Sequence, residues 1–217
     1  MNSPEPGIEA IDRKVIQLFA LVSEALARAT HALLAGEELL GQAVVDGDQA
    51  VDDLTAEVEL LVWEELSQRP VQGDELRYLV AMLLIIPELE RSADLAEHIA
   101  QRAVDHLGTD MSARSRGIIQ LMTEVANEMW LAAADAFGRR SRVSERMVTA
   151  DDEMDILHDD LTREVAEEDM PAAIAAQVTL LARFYERLGD HAVNLARRIE
   201  LLAETDQAGD GGGNART

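Results

Sequence analysis

Four pairs of acidic side chains have a spacing that suits metal chemistry on the surface of a helix. Glu186 and Asp190 stand four residues apart in FYERLGDHAVNLARRIE, and like charges one turn apart destabilise a helix by roughly a few tenths of a kcal/mol. Three more pairs share this spacing: Asp48 with Asp52, Glu90 with Asp94, and Asp151 with Asp155. Clustered carboxylates repel one another unless a cation or a proton lies among them. The four pairs therefore predict cation sites.

The oxygen donors of these pairs favour hard cations. Carboxylates suit Mg²⁺, Ca²⁺, Mn²⁺ or ferric iron, whereas Zn²⁺ is compatible and copper is disfavoured. His158 lies seven residues after Asp151 and could reach the same helix face, and His98 follows Asp94 by one turn. A single histidine at such a place is more typical of an ordinary surface residue. The alternative is that the acids only solvate exposed helix faces, since the chain has 42 acidic residues.

Long helices must position these side chains. Apolar residues make up 47% of the chain and aromatic residues only 3%, which is typical of packed helices. Apolar positions recur every three or four residues and predict six helices, with approximate bounds 8–34, 49–68, 74–105, 113–138, 150–168 and 171–204. Pro87 falls inside the third and predicts a kink or a break there.

The six helices form two copies of one three-helix unit. The 96-residue offset between Glu90 and Glu186 superposes the apolar seam of the last helix on that of the third, with Ser92 as its one polar position. The 103-residue offset between Asp48 and Asp151 does the same for the preceding helices. We therefore predict an all-α fold of two tandem three-helix bundles, with repeats at 8–108 and 109–204 and a disordered tail at 205–217. The acid pairs lie off both seams and should converge on one surface per repeat.

Charge and motifs narrow the class of function. The formal charge of −23 disfavours nucleic-acid partners and anionic membranes, and it attracts cations or basic protein patches. Cysteine is absent, so thiol chemistry and disulfides are excluded and a cytoplasmic location is expected. We expect no signal peptide and no membrane insertion. The motifs G-x-S-x-G, H-E-x-x-H and the Glu-x-x-His of di-iron bundles are missing, so we do not expect an enzyme.

Two segments of each repeat resemble those of the PhoU family. ELERSAD and YERLGDHAVNLA are similar to the two copies of its ELERIGD-type motif, and GDQAVDDL and ADDEMDILHDDL to the D-x-x-x-D segments that precede them. The resemblance extends from about Ile8 to Glu204 and implies two three-helix bundles side by side. It also implies surface metal sites holding Fe, Zn, Mn, Mg or Ca. Carried over by position, the ligands would be Asp48, Asp52, Glu90, Asp94, Asp151, Asp155, Glu186 and Asp190.

The resemblance also implies a regulatory role. It suggests a negative regulator of phosphate uptake and of the phosphate-starvation response. The implied partners are the ATPase subunit of the phosphate transporter and a sensor histidine kinase at the inner membrane face, and we expect a homodimer. Ser92 and Ala93 replace the usual Ile-Gly before Asp94, and Pro87 lies nearby, so metal is expected more firmly in the second repeat. The alternatives are an adaptor of another phosphate transporter without a functional metal site, or a surface-metal enzyme.

Overall fold

The computed structural model describes residues 6–210, and every regular element in that range is an α-helix. The predicted all-α class is therefore confirmed. In chain order the helices are α1 Pro6–Ala35, α2 Glu38–Val45, α3 Gln49–Gln68, α4 Gly73–Val104, α5 Leu107–Asp110, α6 Ala113–Arg139, α7 Ser144–Glu167 and α8 Ala172–Asp210.

The long helices form two bundles that lie side by side. The first bundle contains α1, α3 and α4, with the short α2 packed on α1 and α4, and the second contains α6, α7 and α8. Between the bundles α4 packs against α8, and α1 packs against α6. The Phe19 ring of α1 lies 6.2 Å from the Trp130 ring and 5.5 Å from the Phe137 ring of α6. The buried side chains of both repeats therefore form one continuous core.

Helix α1 is the most apolar of the long helices. The segment Gly7–Ala35 is long and apolar enough to cross a membrane by length and composition alone. One face of α1, however, packs into the core of the first bundle, where Val15, Leu18 and Val22 are fully buried, while Ile16 is 49% exposed. Burial inside the bundle thus accounts for the hydropathy of α1.

Helix α4 continues through Pro87 without a break. Proline cannot donate the backbone hydrogen bond of its turn, and its ring crowds the carbonyl one turn earlier. The Arg198 guanidinium donates to the neighbouring Leu84 carbonyl oxygen, so a side chain from the other repeat supplies a donor beside the proline. Of the two predicted alternatives, the break is wrong, because α4 is one helix from Gly73 to Val104 and packs against α8 at this turn. The kink stays a prediction.

Some helix boundaries lie beyond the predicted ones, and two short helices are additional. Helices α2 and α5 were not predicted, and α7 begins at Ser144 rather than near Ala150. Helix α8 reaches Asp210, so residues 205–210 of the predicted tail are helical. Residues 205–208 contain no glycine or proline, so the helical hydrogen bonds of the backbone can continue there. The rest of the predicted tail, 211–217, lies outside the described residues.

A polar network crosses the contact between α4 and α8. Glu88 is only 4% exposed, and its carboxylate lies 2.9 Å from the Arg198 guanidinium and 3.8 Å from His191 Nε2. The Ser92 hydroxyl donates to the Glu88 carbonyl at 2.6 Å and lies 2.9 Å from His191 Nδ1. Burial lowers the pKa of His191, although the nearby Glu88 carboxylate opposes this change. The polar seam position Ser92 therefore has hydrogen-bond partners instead of leaving a packing defect.

Candidate metal centres

The first cluster lies where the start of α3 meets the middle of α4. Carboxylate oxygens of Asp48, Asp52 and Asp94 lie within 4.8 Å of one another. Asp48 is the N-cap residue of α3, yet its side chain makes no capping hydrogen bond. Its carboxylate therefore faces the other two acids instead of the helix backbone. Three convergent oxygens from two helices form a donor set that suits a hard cation.

Two further acids surround this first cluster. Partial burial, as the largest cause, and the carboxylates of Asp52, Glu97, Asp94 and Glu90 together raise the pKa of Asp48 to about 6. The pKa of Glu90 is raised by burial and then by Asp94, Asp52 and Glu59. Since negative charge is disfavoured among so many acids, the cluster favours either a proton or a cation.

Sequence analysis did not identify Glu97 as part of the first cluster. Glu90, Asp94 and Glu97 follow one another at i, i+4 and i+7 on one face of α4, which is the signal that could have revealed it. The predicted ligands were pairs present in both repeats, whereas the position equivalent to Glu97 in the second repeat is Val193.

The second cluster joins the middle of α7 to α8. Partial burial, as the largest cause, and the carboxylates of Asp155, Asp190, Asp152 and Glu186 together raise the pKa of Asp151 to about 6. Gly189 of α8 allows the Asp151 side chain of α7 to lie close to the α8 backbone. A Cβ at position 189 would lie 3.2 Å from Asp151 Oδ1, which is a tight contact. The absence of a side chain at Gly189 thus makes room for the Asp151 carboxylate.

An arginine occupies part of the second cluster. The Arg183 guanidinium donates to Glu186 Oε1 at 2.6 Å, and Glu186 Oε2 is buried without a hydrogen-bond partner. Burial raises the pKa of Glu186, whereas the nearby charge of Arg183 lowers it. Among the described residues, only the first cluster brings three carboxylate oxygens within 4.8 Å. The side-chain geometry therefore favours the first cluster, whereas the sequence favoured the second.

The two candidate histidines have different surroundings. His158 is near enough to Glu186 to lower the pKa of that carboxyl, and its ring lies 3.6 Å from the Asp159 carboxylate. His98 stacks on the Phe184 ring of α8 at 5.3 Å. His158 is thus the histidine placed beside an acid cluster, while His98 takes part in the contact between the bundles.

The substitutions before Asp94 face the protein interior. Ser92 is fully buried and Ala93 is 2% exposed, so both lie on the core side of α4. Asp94 remains on the opposite side, close to Asp48. A cleft of about 90 Å³ lies beside Asp48 and Glu97 and is bounded by α1 and α2. The departures from the family motif therefore leave the first group of carboxylates intact.

Comparison with known proteins agrees with the repeat and the fold. A model of the PhoU domain matches residues 15–103 and again residues 119–199. The Mycobacterium tuberculosis phosphate-specific transport system accessory protein PhoU homolog 2 is 30% identical over 197 residues, which cover 88% of this chain and 92% of that protein. A Caulobacter vibrioides PhoU homolog is 35% identical over 173 residues, covering 76% of this chain and 75% of its own length.

Solved structures show the same architecture. The crystal structure of PhoU from Pseudomonas aeruginosa superposes with a TM-score of 0.87 at 22% identity, over 93% of this chain and 99% of that chain. PhoU from Streptococcus pneumoniae superposes with a TM-score of 0.80 at 18% identity, over 92% and 95% of the two chains. The double match confirms the internal duplication. This chain belongs to the PhoU family, with one PhoU domain in each of its two repeats.

Proposed function

We propose that this protein is a metal-binding accessory protein that regulates phosphate-specific transport through protein contacts. Relatives that cover most of the chain are named phosphate-specific transport system accessory proteins. The observation that carries the metal-binding part is the convergence of Asp48, Asp52 and Asp94 on one point between α3 and α4. No motif of a catalytic centre accompanies it, which supports a regulatory protein over an enzyme.

The residues that would hold the metal follow from the two clusters. In the first, Asp48, Asp52 and Asp94 provide the convergent oxygens, and Glu90 and Glu97 add negative charge. In the second, the ligands would be Asp151, Asp155, Glu186 and Asp190, once Glu186 has exchanged Arg183 for the metal. The donors are carboxylate oxygens, which fit Fe, Mn, Mg, Ca or Zn. A bound cation would neutralise the mutual repulsion that raises the pKa values of these acids.

The proposed regulation is negative and acts at the cytoplasmic face of the inner membrane. We infer contacts with the transporter's ATPase subunit and with a sensor histidine kinase, and we infer a homodimer. The strongly acidic surface supports partners with basic patches, because charge complementarity accelerates and selects protein encounters.

Elemental analysis tests the metal-binding part. Protein purified without chelators should contain metal, and Asp94→Asn and Asp190→Asn should lower the content of the first and second centre respectively. Asparagine keeps the side-chain volume and removes the charge, so circular dichroism should remain unchanged. If wild type contains no metal and binds none of these ions in a calorimetric titration, the adaptor without a metal site replaces this proposal.

A gene deletion tests the regulatory part. Cells that lack the protein should express phosphate-starvation reporters in phosphate-rich medium, and the wild-type gene should restore repression. In parallel, the purified protein should bind the transporter's ATPase subunit. A deletion strain with normal regulation, together with absence of binding, would contradict the proposed function.

A further inference from the structure

Five large apolar side chains are exposed on α3 and α4. One of them, Leu84 at 49%, has an exposed counterpart in the second repeat, Leu180 at 45%, and the other four do not. Leu60 and Trp63 on α3 are each 58% exposed, and Leu76 and Val80 on α4 are 39% and 46% exposed. We refer to these four residues as the α3–α4 patch. Single exposed apolar residues are common, but a group of them that includes a tryptophan is typical of a binding surface.

The patch shares helix faces with members of the first acid cluster. On α3, Asp52, Glu59 and Trp63 fall on one helix face at i, i+7 and i+11. On α4, Val80 shares a face with Asp94 at a spacing of 14 residues, which is nearly four turns.

The register of the two helices places the acid cluster far from the loop that joins them. Helices α3 and α4 are joined by residues 69–72 and pack against each other, and Glu59 lies near enough to Glu90 to raise its pKa. The patch residues are therefore nearer to this loop than the acid cluster is, and Glu64 and Glu65 of α3 directly follow Trp63.

The second repeat serves as an internal control for the patch. The offsets that align the acid pairs place Arg163, Ala166, Ala172 and Ala176 at the positions of Leu60, Trp63, Leu76 and Val80. These residues present small or charged side chains at the same places of the same fold. Because the second bundle forms without large apolar residues there, the bundle architecture does not require the patch.

The charge around the patch selects its partner. Helix α3 carries six acidic residues and no basic residue: Asp52, Asp53, Glu57, Glu59, Glu64 and Glu65. A second copy of this chain would bring the same negative surface against it, and an anionic lipid surface would be repelled as well. A basic partner gains attraction from the same charges.

We propose that the α3–α4 patch docks an amphipathic, basic helical segment of a protein partner. The apolar face of that segment packs on Trp63 and Val80, and its Lys or Arg side chains lie along the acids of α3. The inference rests on the proposed function in one respect, which is that this chain acts through a protein partner. It does not depend on a bound metal.

Two tryptophans make the proposal measurable. Trp63 is exposed and Trp130 is fully buried, so a ligand on the patch should shift and protect the emission of Trp63 alone. The probe is a synthetic 18-residue Leu/Lys peptide designed as an amphipathic helix. Its two controls are a scrambled peptide of equal composition and a peptide with Glu in place of Lys. We expect the amphipathic Lys peptide to move the emission to shorter wavelength and to shield Trp63 from acrylamide, while both controls have no effect.

Variants assign the binding to the patch. By anisotropy of a labelled peptide at physiological salt, Trp63→Ala and Val80→Ser should each weaken binding roughly tenfold or more. The matched control is Leu131→Ser, since Leu131 is an equally large exposed residue at 64% exposure on α6, and it should bind like wild type. Equal weakening by the control, or unchanged binding by Trp63→Ala, would overturn the proposal.

A second measurement separates this proposal from the proposed function and from self-association. Sedimentation of wild type and Trp63→Ala should give the same oligomeric state, and a loss of association in the variant would assign the patch to a second copy and overturn the proposal. Binding to the transporter's ATPase subunit is then compared for both proteins. Failure of wild type to bind this subunit counts against the proposed function. The peptide-binding measurements still show whether the α3–α4 patch is a docking surface.

Discussion

Asp48 and Asp151 occupy equivalent positions in the two repeats, and their surroundings act on them in the same way. In each, partial burial and the neighbouring acids together raise the pKa to about 6. Each carboxyl thus keeps its proton up to about pH 6 in the folded, metal-free protein, whereas its pKa in an unfolded chain is near 3.8. Folding and ionisation therefore oppose each other at these two residues.

This opposition predicts a pH dependence of stability. A raised pKa in the folded state stabilises the fold below pH 4, and this contribution is lost as the pH rises from there through about 6. In chelator, Asp48→Asn and Asp151→Asn should each have a higher melting temperature than wild type above pH 7, and the advantage should vanish near pH 4. After allowance for solvent screening we expect about 1 kcal/mol per site, or roughly 2–4 °C.

Differential scanning calorimetry between pH 4 and pH 8 measures this effect. Burial lowers the pKa of His191, but wild type and variants share this residue, so its contribution cancels in the difference. An advantage of the Asn variants that does not change with pH would contradict the prediction. Saturating metal should reverse the order of stabilities, since only wild type retains every ligand.

Gly189 offers a second test at the scale of one side chain. Gly189→Ala improves helix propensity by about 1 kcal/mol, but its Cβ would press on the Asp151 carboxylate at 3.2 Å. We expect stability within about 1 kcal/mol of wild type and metal affinity at the second centre lowered roughly tenfold. Isothermal titration in an Asp94→Asn background isolates that centre. The reciprocal variant Ala93→Gly should destabilise α4 by about 1 kcal/mol.

Among the elements, α4 and α8 carry the main contact between the repeats, and a buried ion pair spans it. Glu88 is 4% exposed, whereas the Arg198 side chain is 25% exposed and can turn towards water. Removing Arg198 should therefore cost a different free energy of unfolding from removing the charge of Glu88.

We expect Arg198→Ala to be more destabilising than Glu88→Gln. Without Arg198 the Glu88 carboxylate stays buried, with the exposed Arg91 at 3.6 Å as its remaining arginine, and the Leu84 carbonyl loses the guanidinium as a second donor. Loss of Arg198 should cost about 3 kcal/mol, and Glu88→Gln about 1 kcal/mol. Urea unfolding followed by circular dichroism gives both values. Equal losses would show that the burial of Glu88 does not determine the effect.

The same contact marks the limit of prediction from sequence. The seam of α8 was correct, because Leu181, Leu188 and Leu195 are fully buried and periodicity reports which face of a helix is covered. Periodicity does not report which helix of the other repeat covers it. The pairing of Ser92 with His191, and the donor that Arg198 supplies beside Pro87, follow only from the crossing of α4 and α8.

In the acid clusters, too, the sequence predicts some of the residues and not others. Asp48 and Asp52 could be grouped with Glu90 and Asp94 from the repeat alone. Glu97, which adds charge to the first cluster, and Arg183, which binds Glu186, have no counterpart in the other repeat, where Val193 and Pro87 take their places. Duplication therefore predicts what the two halves share, and it conceals where they have diverged.

At the scale of the molecule, one hydrophobic core runs through both repeats. The Phe19, Trp130 and Phe137 rings cross the boundary between α1 and α6. Either bundle alone would expose these aromatic surfaces to water.

We therefore expect a single unfolding transition. In a Trp63→Phe background, the emission of Trp130 reports the second repeat, while circular dichroism reports all helices. The two signals should give the same urea midpoint. Separate fragments 1–108 and 109–217 should lose helix and aggregate. Two distinct midpoints, or fragments that remain folded, would show that the repeats are independent domains.

The position of Arg183 has a consequence for the order in which the two proposed centres would fill. Its guanidinium donates to Glu186 Oε1 at 2.6 Å, so a cation at the proposed second centre has to displace an internal one, while Asp48, Asp52 and Asp94 already converge. Because the Arg183 side chain is 56% exposed and exposed side chains rearrange within nanoseconds, this competition lowers the affinity and does not slow the binding. Isothermal titration should show two classes of site, and Arg183→Gln should tighten the weaker class and leave the tighter one unchanged. The two proposed centres would thus respond to different ranges of metal concentration.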